Sequence, residues 1–244
     1  MDLEDYKIFR QHGKDYWWFK GKRDLLDNLL SDLRLNKRDS KILDIGCGIG
    51  EDLGTIGDYG RVYAIEYSLD AIKLVNKKLL DGLFCNDATK LCFKDKTFNT
   101  VVIMDVLEHL DDDRKAFNEA ARVLKKNGYL IISVPAVEFL FGPHDRRLKH
   151  RRRYSRKMLC KMIKSRNMKI VRFSYWNSFL FIPIFFVRFY KKFFNIERSD
   201  LTELNPFLNK IFTNILFIED KIIKAGYRLP IGLSMIVVLK KTGN

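Results

Sequence analysis

Cysteine is scarce in this chain of 244 residues, and its pattern argues against several classes of protein. The four cysteines, Cys47, Cys85, Cys92 and Cys160, form no C-x-x-C pair, and no histidine lies at zinc-ligand spacing from them. This is unlike a disulfide scaffold or a zinc finger, and no metal site is expected. The charged N-terminus lacks the apolar core of a signal peptide, so we expect a reduced, cytoplasmic protein.

Long apolar runs are also lacking. The longest charge-free stretch in the C-terminal half runs from Phe173 to Val187, is 15 residues long and contains Pro183. A membrane-spanning helix needs about 20 apolar residues. We therefore expect this segment to be buried or interfacial rather than transmembrane.

Negative charge is in deficit, because 45 Lys and Arg residues against 30 Asp and Glu give a net charge of +15. Such a surplus favours nucleic acid, anionic lipid or phosphorylated substrates, with solvated basic faces as the alternative. Eight of the basic residues lie between His144 and Lys157. This basic run by itself does not decide between nucleic acid, a membrane and an acidic group of a substrate.

Short apolar strands alternate with helical segments in the first part of the chain. Apolar spacing predicts a helix over residues 16–35, a second helix after the N-cap Ser68 and a third over 112–125. Strands are predicted at 42–45, 61–65, 82–87, 100–105 and 129–135. This alternation predicts a parallel sheet with helices on both faces.

The pattern changes after the fifth strand. A helix from Ser155, a strand at 169–176 and a last strand at 233–241 are predicted. The interval between these two strands is rich in Phe, Ile and Leu and too long for a hairpin loop. It predicts an inserted helical lobe.

Glycines follow the first strand in "LDIGCGIG", at Gly46, Gly48 and Gly50. A glycine-rich turn at this point lets a ligand approach the backbone closely. The NAD fingerprint is not met because Glu51 stands at its third glycine, and the G-K-[ST] of a phosphate loop is absent. Asp44 leads the loop, which favours a ligand that carries positive charge.

Acidic residues follow four successive strands, at Asp44, Glu66, Asp87 and Asp105. The carboxyl ends of parallel strands meet at the ligand crevice of an open α/β sheet. Glu66 is placed to accept both hydroxyls of a ribose, and Asp87 to accept a hydrogen bond from an adenine amino group. Helix capping explains any one of these acids, but four in register favour a nucleoside site.

These segments resemble the class I S-adenosylmethionine-dependent methyltransferases. The matching stretches are "LDIGCGIG", "AIEYS", "CNDATKLCFKDKTFNTVVIMDVLEHL" and "RVLKKNGYLIISVP". The resemblance implies S-adenosylmethionine as the cofactor. It also implies an α/β fold with a Rossmann-like doubly wound sheet, mostly parallel with an antiparallel last strand, plus a helical insertion before that strand. The residues that it implies for cofactor binding are Asp44, Gly46, Cys47, Gly48, Gly50, Glu66, Tyr67, Asp87, Ala88, Asp105 and Val106.

A weaker resemblance covers the flanks, through "YWWFKGKRDLL", "PHDRRLKHRRRYS" and "RLPIGLSMIVVLKK". These look like bacterial and archaeal methyltransferases associated with cell-surface glycan and lipid-linked saccharide pathways. One methyltransferase domain is then expected over residues 1–244. Its parts are an N-terminal helical cap (1–38), the cofactor-binding core (39–140), a basic substrate loop with a helix and a strand (141–176), the apolar insertion (177–230) and the last strand (231–244). Gly54 and Gly57 predict a short helix after the glycine loop.

Histidines and aromatic residues supply the candidates for catalysis and substrate binding. His109 and His144 are candidate general bases because His titrates near neutral pH, although a carboxylate acceptor would need none. The aromatic residues 16–19 either cover the cofactor or pack in the core. The predicted substrate-binding residues are Trp18, Arg23, Arg146, His150, Arg152, Arg153 and Tyr154, the basic ones directed at an anionic group of the acceptor.

Three functional hypotheses follow from the sequence. A methyltransferase that acts on a small-molecule or lipid-linked glycan acceptor, peripherally at the inner membrane face, explains both the charge and the apolar lobe. An RNA methyltransferase explains the charge alone, and neither an RNA-binding module nor an N-P-P-Y-like motif is found, so nucleic acid is the less favoured partner. A non-catalytic relative would not need the strand-end acids. The apolar lobe is expected at an anionic membrane surface, over the active site or in a dimer interface, and the oligomeric state is left open.

Overall fold

A computed structural model describes residues 15–164, 166–194, 196 and 204–243 of the chain. The strands are β1 (Lys41–Ile45), β2 (Arg61–Glu66), β3 (Gly82–Cys85), β4 (Phe98–Met104), β5 (Leu124–Pro135), β6 (Met168–Trp176) and β7 (Ser234–Lys241). The helices are α1 (Trp17–Asp32), α2 (Leu53–Gly57), α3 (Leu69–Leu74), α4 (Asp113–Val123), α5 (Pro143–Arg147), α6 (Arg156–Lys164), α7 (Phe181–Phe193) and α8 (Pro206–Lys224).

The strands form one sheet in the order β3-β2-β1-β4-β5-β7-β6. Strands β1 to β5 pair in parallel, while β7 runs antiparallel between β5 and β6. Strand order reverses at β1, so a crevice opens at the carboxyl ends of β1 and β4, where ligands bind in open α/β sheets. The predicted fold class, with its antiparallel last strand, is confirmed.

Helices cover both faces of the sheet because the central strands are apolar on both sides. Along β4, Val101 and Ile103 join one core with α4 and α6, while Val102 joins the opposite core with α1, α2 and α8. Alternate strand residues point to opposite faces, so one strand serves two cores. This three-layer packing fixes the carboxyl edge of the sheet, where the strand-end acids lie.

Two local predictions on the first half of the chain can be compared with the structure. Helix α2 has only five residues, as Gly54 and Gly57 predicted. The predicted end of the helix over 112–125 is wrong, since α4 stops at Val123 and β5 starts at Leu124. Asn127 adopts a φ of 63° and the β4–β5 register shifts nearby, so the Lys-Lys-Asn-Gly sequence forms an irregular strand start instead of a helix stop.

The insertion before β7 is helical where the structure describes it, in α7 and α8. Helix α8 packs on α1, where Trp17 meets Phe212 with ring centroids 5.4 Å apart and its backbone N–H donates to Asn209 Oδ1 at 2.8 Å. None of the helices in the described ranges combines the length and the apolar character needed to cross a membrane. The insertion and the N-terminal helix together cover one end of the sheet.

Candidate active site

The glycine loop between β1 and α2 depends on residues without a side chain. Gly46, Gly48 and Gly50 have φ values of 75°, 55° and 88°, a region that other residues rarely adopt. A Cβ added at Gly46 would lie 2.6 Å from the side chain of Val106. The backbone N–H groups of Gly46 and Cys47 both donate to Ile65 O, which holds the turn against β2.

Asp44, at the carboxyl end of β1, is 5% exposed. Burial raises its pKa to about 8, with further repulsion from Asp52 and Glu66, while Lys22 opposes the rise. A buried carboxyl of this kind is stabilised in its ionised form by a cation placed beside it. The position therefore favours a positively charged ligand.

The next two acids are held by backbone amides. Glu66 accepts a hydrogen bond from Gly48 N at 2.9 Å and another from Ser68 N at 2.8 Å, so its carboxylate is fixed beside the glycine loop. Asp87 accepts from Thr89 N at 2.7 Å. Of the neighbouring residues, Ala88 is buried and Tyr67 is exposed.

Asp105 follows β4 with a φ of 55° and is held on both sides. One carboxylate oxygen lies 2.7 Å from Lys22 Nζ, and the other accepts from Ser133 Oγ at 2.6 Å. Burial alone would raise the pKa of Asp105, but the Lys22 ammonium and these two hydrogen bonds lower it. The site thus contains a partly buried ion pair that joins α1 to the end of β4.

A cavity of about 500 Å³ opens in front of the glycine loop. Its polar end is formed by the loop and the ends of β4 and β5, and its apolar walls come from the start of α1, from α7 and from α8. The lining residues include Trp18, Gly46, Cys47, Gly48, Asp105, Glu108, His109, His144, His150, Arg153, Pro183, Ile184, Val187, Arg188, Lys191 and Phe212. The cavity is large enough for a drug-sized ligand.

A polar cluster lies at the polar end of this cavity, formed by Glu108, His109 and His150. The rings of His109 and His150 meet edge-on, with centroids 4.7 Å apart. Burial lowers the pKa of His109 to about 4, assisted by His150, so its imidazole is neutral at pH 7. Burial and the charge of Asp105 raise the pKa of Glu108 well above its ordinary value.

Three arginines of the basic run form ion pairs with acids of the same chain. Arg151 pairs with Asp111 at 2.9 Å, Arg152 with Asp113 at 3.2 Å and Arg153 with Asp145 at 2.8 Å. The last pair is buried, and Arg153 also donates to Ala136 O at 3.0 Å. These contacts attach the run to the edge of the sheet.

The structure brings some of the predicted substrate residues together and separates others. Trp18, His150 and Arg153 line the cavity, as do the predicted catalytic residues His109 and His144. Tyr154 is buried and donates to Asp113 Oδ2 at 2.7 Å, next to Arg152. Arg23 lies 3.4 Å from Glu51 and Arg146 is exposed. The roles of all these residues in catalysis and substrate binding stay predictions.

Comparison with known proteins finds similarity in the part of the chain that forms this site. The profile of a family described as "Methyltransferase domain" matches residues 43–132. An uncharacterised protein of Methanocaldococcus jannaschii is 39% identical over 99 residues, which cover 41% of this chain and 42% of that one. A probable S-adenosylmethionine-dependent methyltransferase of Mycobacterium tuberculosis is 31% identical over 138 residues, 55% of this chain and 44% of the relative.

Residues 43–132 form a class I S-adenosylmethionine-dependent methyltransferase domain. A demethylmenaquinone methyltransferase of Renibacterium salmoninarum is also similar, at 32% identity over 108 residues that cover 42% of this chain and 44% of that protein. This chain spans about half of the length of these relatives. The methyltransferase fold extends further, since a putative methyltransferase of Bacillus halodurans superimposes with a TM-score of 0.60 at 16% identity, over 90% of this chain and 99% of the other.

S-adenosylmethionine is the cofactor of this methyltransferase domain. Its sulfonium and ammonium groups are cationic, which fits the buried Asp44 carboxyl. A ligand that approaches the backbone closely fits a loop whose φ values require Gly46, Gly48 and Gly50. The contacts of all the predicted cofactor residues, Asp44 and these glycines included, stay predictions.

Sequence reasoning missed two residues of the methyltransferase site. Lys22 neutralises Asp105 from helix α1, and Glu108 is fully buried in the cavity wall. A lysine on the apolar face of a predicted helix was a signal for Lys22. The "LEH" sequence after the fourth strand held a signal for Glu108, because an acid among apolar residues suggests a buried role.

Proposed function

We propose that this chain transfers the methyl group of S-adenosylmethionine to a small or lipid-linked amphiphilic acceptor that bears an anionic group. The cavity carries this proposal, because it is polar and acidic at the cofactor loop and apolar along α7 and α8. Such a shape accommodates an acceptor with a reactive polar end and a hydrophobic body. The similarity to a demethylmenaquinone methyltransferase agrees with an acceptor of this kind.

Cationic side chains mark where the anionic group of the acceptor would bind. Arg153 lies at the polar end of the cavity, and Arg188 and Lys191 line it from α7. Arginine binds carboxylate and phosphate groups through two parallel hydrogen bonds. If the anionic group of the acceptor binds near Arg188 and Lys191 of α7, the reactive end of the acceptor faces the cofactor loop.

The chemistry requires little from the protein beyond position. When bound, S-adenosylmethionine supplies an electrophilic methyl group on a sulfonium sulfur. The side chains hold the acceptor in line with that bond, exclude water through Trp18 and the apolar walls, and receive a proton if the acceptor is a hydroxyl or an amine. His109, neutral at pH 7, and His144 both line the cavity and are the candidates to receive it.

We further propose that the outer face of α7 rests on an anionic membrane. Phe186 is 64% exposed and Phe193 74% exposed, and Ile182 and Tyr190 are exposed beside them. Lys191 and Lys192 lie in the last turn of the same helix. A helix with exposed aromatic residues and adjacent lysines binds at the interface of anionic bilayers. The opposite side of α7, through Pro183, Ile184 and Val187, lines the cavity, so a lipid acceptor would need to travel only past one helix.

RNA remains the alternative substrate, and the geometry favours it less. The basic run is held in ion pairs with Asp111, Asp113 and Asp145. Its charge is therefore partly neutralised, and phosphate binding gains most from unpaired Lys and Arg side chains.

Transfer of labelled methyl groups tests the proposed substrate class. The full chain is incubated with methyl-labelled S-adenosylmethionine and either a membrane lipid extract or total RNA. We expect label in the organic phase from the lipid extract. Label that appears only in RNA would contradict the proposal and favour the alternative.

Co-sedimentation with vesicles tests the membrane contact. We expect binding to phosphatidylglycerol vesicles, little binding to phosphatidylcholine vesicles, and loss of binding in the double variant Phe186→Ser and Phe193→Ser. Val171→Ser, at a residue 50% exposed on β6, is the matched control. Equal binding by the double variant and the control would overturn the assignment of this surface.

A further inference from the structure

Glu108, His109 and His150 bring three potential ligand atoms together, each within 4.8 Å of the other two. Glu108 and His109 belong to the short turn Leu107–His109 after β4, and His150 lies in the loop after α5. All three line the cavity. Two imidazole nitrogens and one carboxylate oxygen form a common donor set for divalent metal ions in enzymes.

The carboxyl oxygens of Glu108 lack hydrogen-bond partners in the described part of this structure. Its side chain is fully buried, and neither oxygen has a hydrogen-bond partner from another residue within the described ranges. Lys22, the nearby ammonium, is engaged with Asp105 at 2.7 Å. A buried carboxylate whose oxygens accept no hydrogen bond is costly, and the charges of Lys22 and Arg153 offset only part of that cost, so this side chain points to a cation bound at the cluster.

His150 is oriented as a metal-binding histidine would be. Its Nδ1 lies 3.0 Å from Asp145 Oδ1, which leaves Nε2 on the other side of the ring. Asp145 is itself fixed by Arg153 at 2.8 Å and by Gly142 N at 3.0 Å. In metal-binding histidines, the N–H of the second ring nitrogen typically donates a hydrogen bond to a carboxylate in this way, which sets the tautomer and the ring orientation.

We propose that Glu108, His109 and His150 bind one divalent transition-metal ion, with the remaining coordination positions open to the cavity. Three ligand atoms about 2.1 Å from one ion lie about 3.4–3.6 Å from one another, so each side chain needs to move by less than about 1 Å to close the site. Imidazole nitrogen with carboxylate oxygen favours ions such as Zn²⁺, Co²⁺ or Fe²⁺ over Mg²⁺ or Ca²⁺, which prefer oxygen ligands.

The position of this metal site deepens the proposed function, on which the following step rests. Asp105 and Gly46 line the same cavity, so a bound ion would lie beside the cofactor loop. His109, once bound to the ion, no longer acts as a base. An acceptor hydroxyl that coordinates the ion has a lowered pKa and releases its proton to solvent. Its oxygen then attacks the methyl carbon, the carbon–sulfur bond breaks, and the electron pair stays on sulfur.

Cobalt binding tests the site independently of methyl transfer. The full chain is dialysed against EDTA and titrated with Co²⁺, and visible absorption is recorded. We expect one saturable site whose weak visible bands indicate nitrogen and oxygen ligands, without the strong near-ultraviolet band of cobalt bound to a cysteine thiolate. Mg²⁺ in excess should not displace the cobalt, whereas Zn²⁺ should.

Variants connect that signal to the three residues. Glu108→Gln and His150→Gln should each raise the Kd for Co²⁺ at least tenfold, while His144→Gln, which changes another histidine of the same cavity, should leave it within twofold of the unaltered chain. Far-ultraviolet circular dichroism checks that each variant is folded. Absence of saturable Co²⁺ binding, or equal affinity in all three variants, would overturn the proposal. Binding of S-adenosylmethionine is measured separately by calorimetry, so that failure of the metal site is distinguished from failure of the proposed function.

Discussion

The buried carboxyl of Asp220 predicts a stability that falls as pH rises. Asp220 lies on α8, where one oxygen accepts from Trp176 Nε1 at 2.7 Å. The other oxygen is buried without a donor among the described residues, and its neighbour is the Asp24 carboxyl of α1. Two carboxyl groups can form a hydrogen bond only if one of them is protonated, so the native state retains a proton here.

The sign of the effect follows from the pKa of Asp220. Burial raises this pKa from 3.8 to about 9, and the charges of Asp24 and Glu219 add to the rise. Between those two values the native state binds a proton that the unfolded state has released. The stabilisation is therefore complete below about pH 4 and is lost as pH rises toward 9. One proton changes the free energy of unfolding by about 1.4 kcal/mol per pH unit, or at most about 4 kcal/mol between pH 5 and pH 8.

Asp220→Asn removes this proton uptake and keeps the contacts. The asparagine oxygen can accept from Trp176, and its amide group can donate to Asp24. We expect the variant to lose less stability than the unaltered chain between pH 5 and pH 8, by up to about 4 kcal/mol, in urea unfolding followed by circular dichroism. Asp58→Asn, which removes an exposed carboxylate, is the matched control. Parallel pH profiles for Asp220→Asn and the unaltered chain would refute the reasoning.

Three further substitutions and one control variant test the cofactor loop and the basic run. Asp44→Asn should weaken S-adenosylmethionine binding more than about tenfold in calorimetry, through loss of a charged contact, and unchanged affinity would contradict the site. Gly46→Ala should lower the free energy of unfolding by about 1–3 kcal/mol because its φ is 75°, and an unaltered urea midpoint would contradict this. Arg153→Met should cost about 3–5 kcal/mol because it leaves Asp145 buried without the arginine charge, whereas Arg147→Met, at an exposed residue, should change stability by less than about 0.5 kcal/mol. Equal thermal melts for the two arginine variants would be the contrary result.

Local sequence signals were sufficient for the sheet and the glycine loop. An apolar run that leads into Gly46, Gly48 and Gly50 specifies both a buried strand and the left-handed turn that follows it, because each depends on neighbouring residues alone. The predicted end of α4 was wrong because the pairing of β5 with β4 outweighs the local helix-stop pattern after Val123. Pairing energy between distant strands is not visible in a local pattern.

The electrostatics of the site could not be read in the same way. The arginines of the basic run meet acids that are distant in the sequence, as when Arg152 pairs with Asp113. Arg152 also donates to Leu110 O, 42 positions away. Lys22 on α1 reaches Asp105 after β4. The loop after α5 meets Glu108, whose backbone oxygen accepts from Arg151 N at 2.8 Å. A sequence shows which charges are present, but only the fold decides which of them are neighbours.

The position of helix α1 links the two ends of the cavity. Near its start, Trp17 is hydrogen-bonded to Asn209 of α8 and Trp18 packs on Trp176, with ring centroids 4.8 Å apart. One turn later, Lys22 carries the charge that balances Asp105. Because both contacts belong to one helix, a ligand that displaced α1 from α8 would also disturb the Lys22–Asp105 ion pair. Any such displacement would couple the two ends of the cavity, and each ligand would then alter the affinity for the other by the same factor.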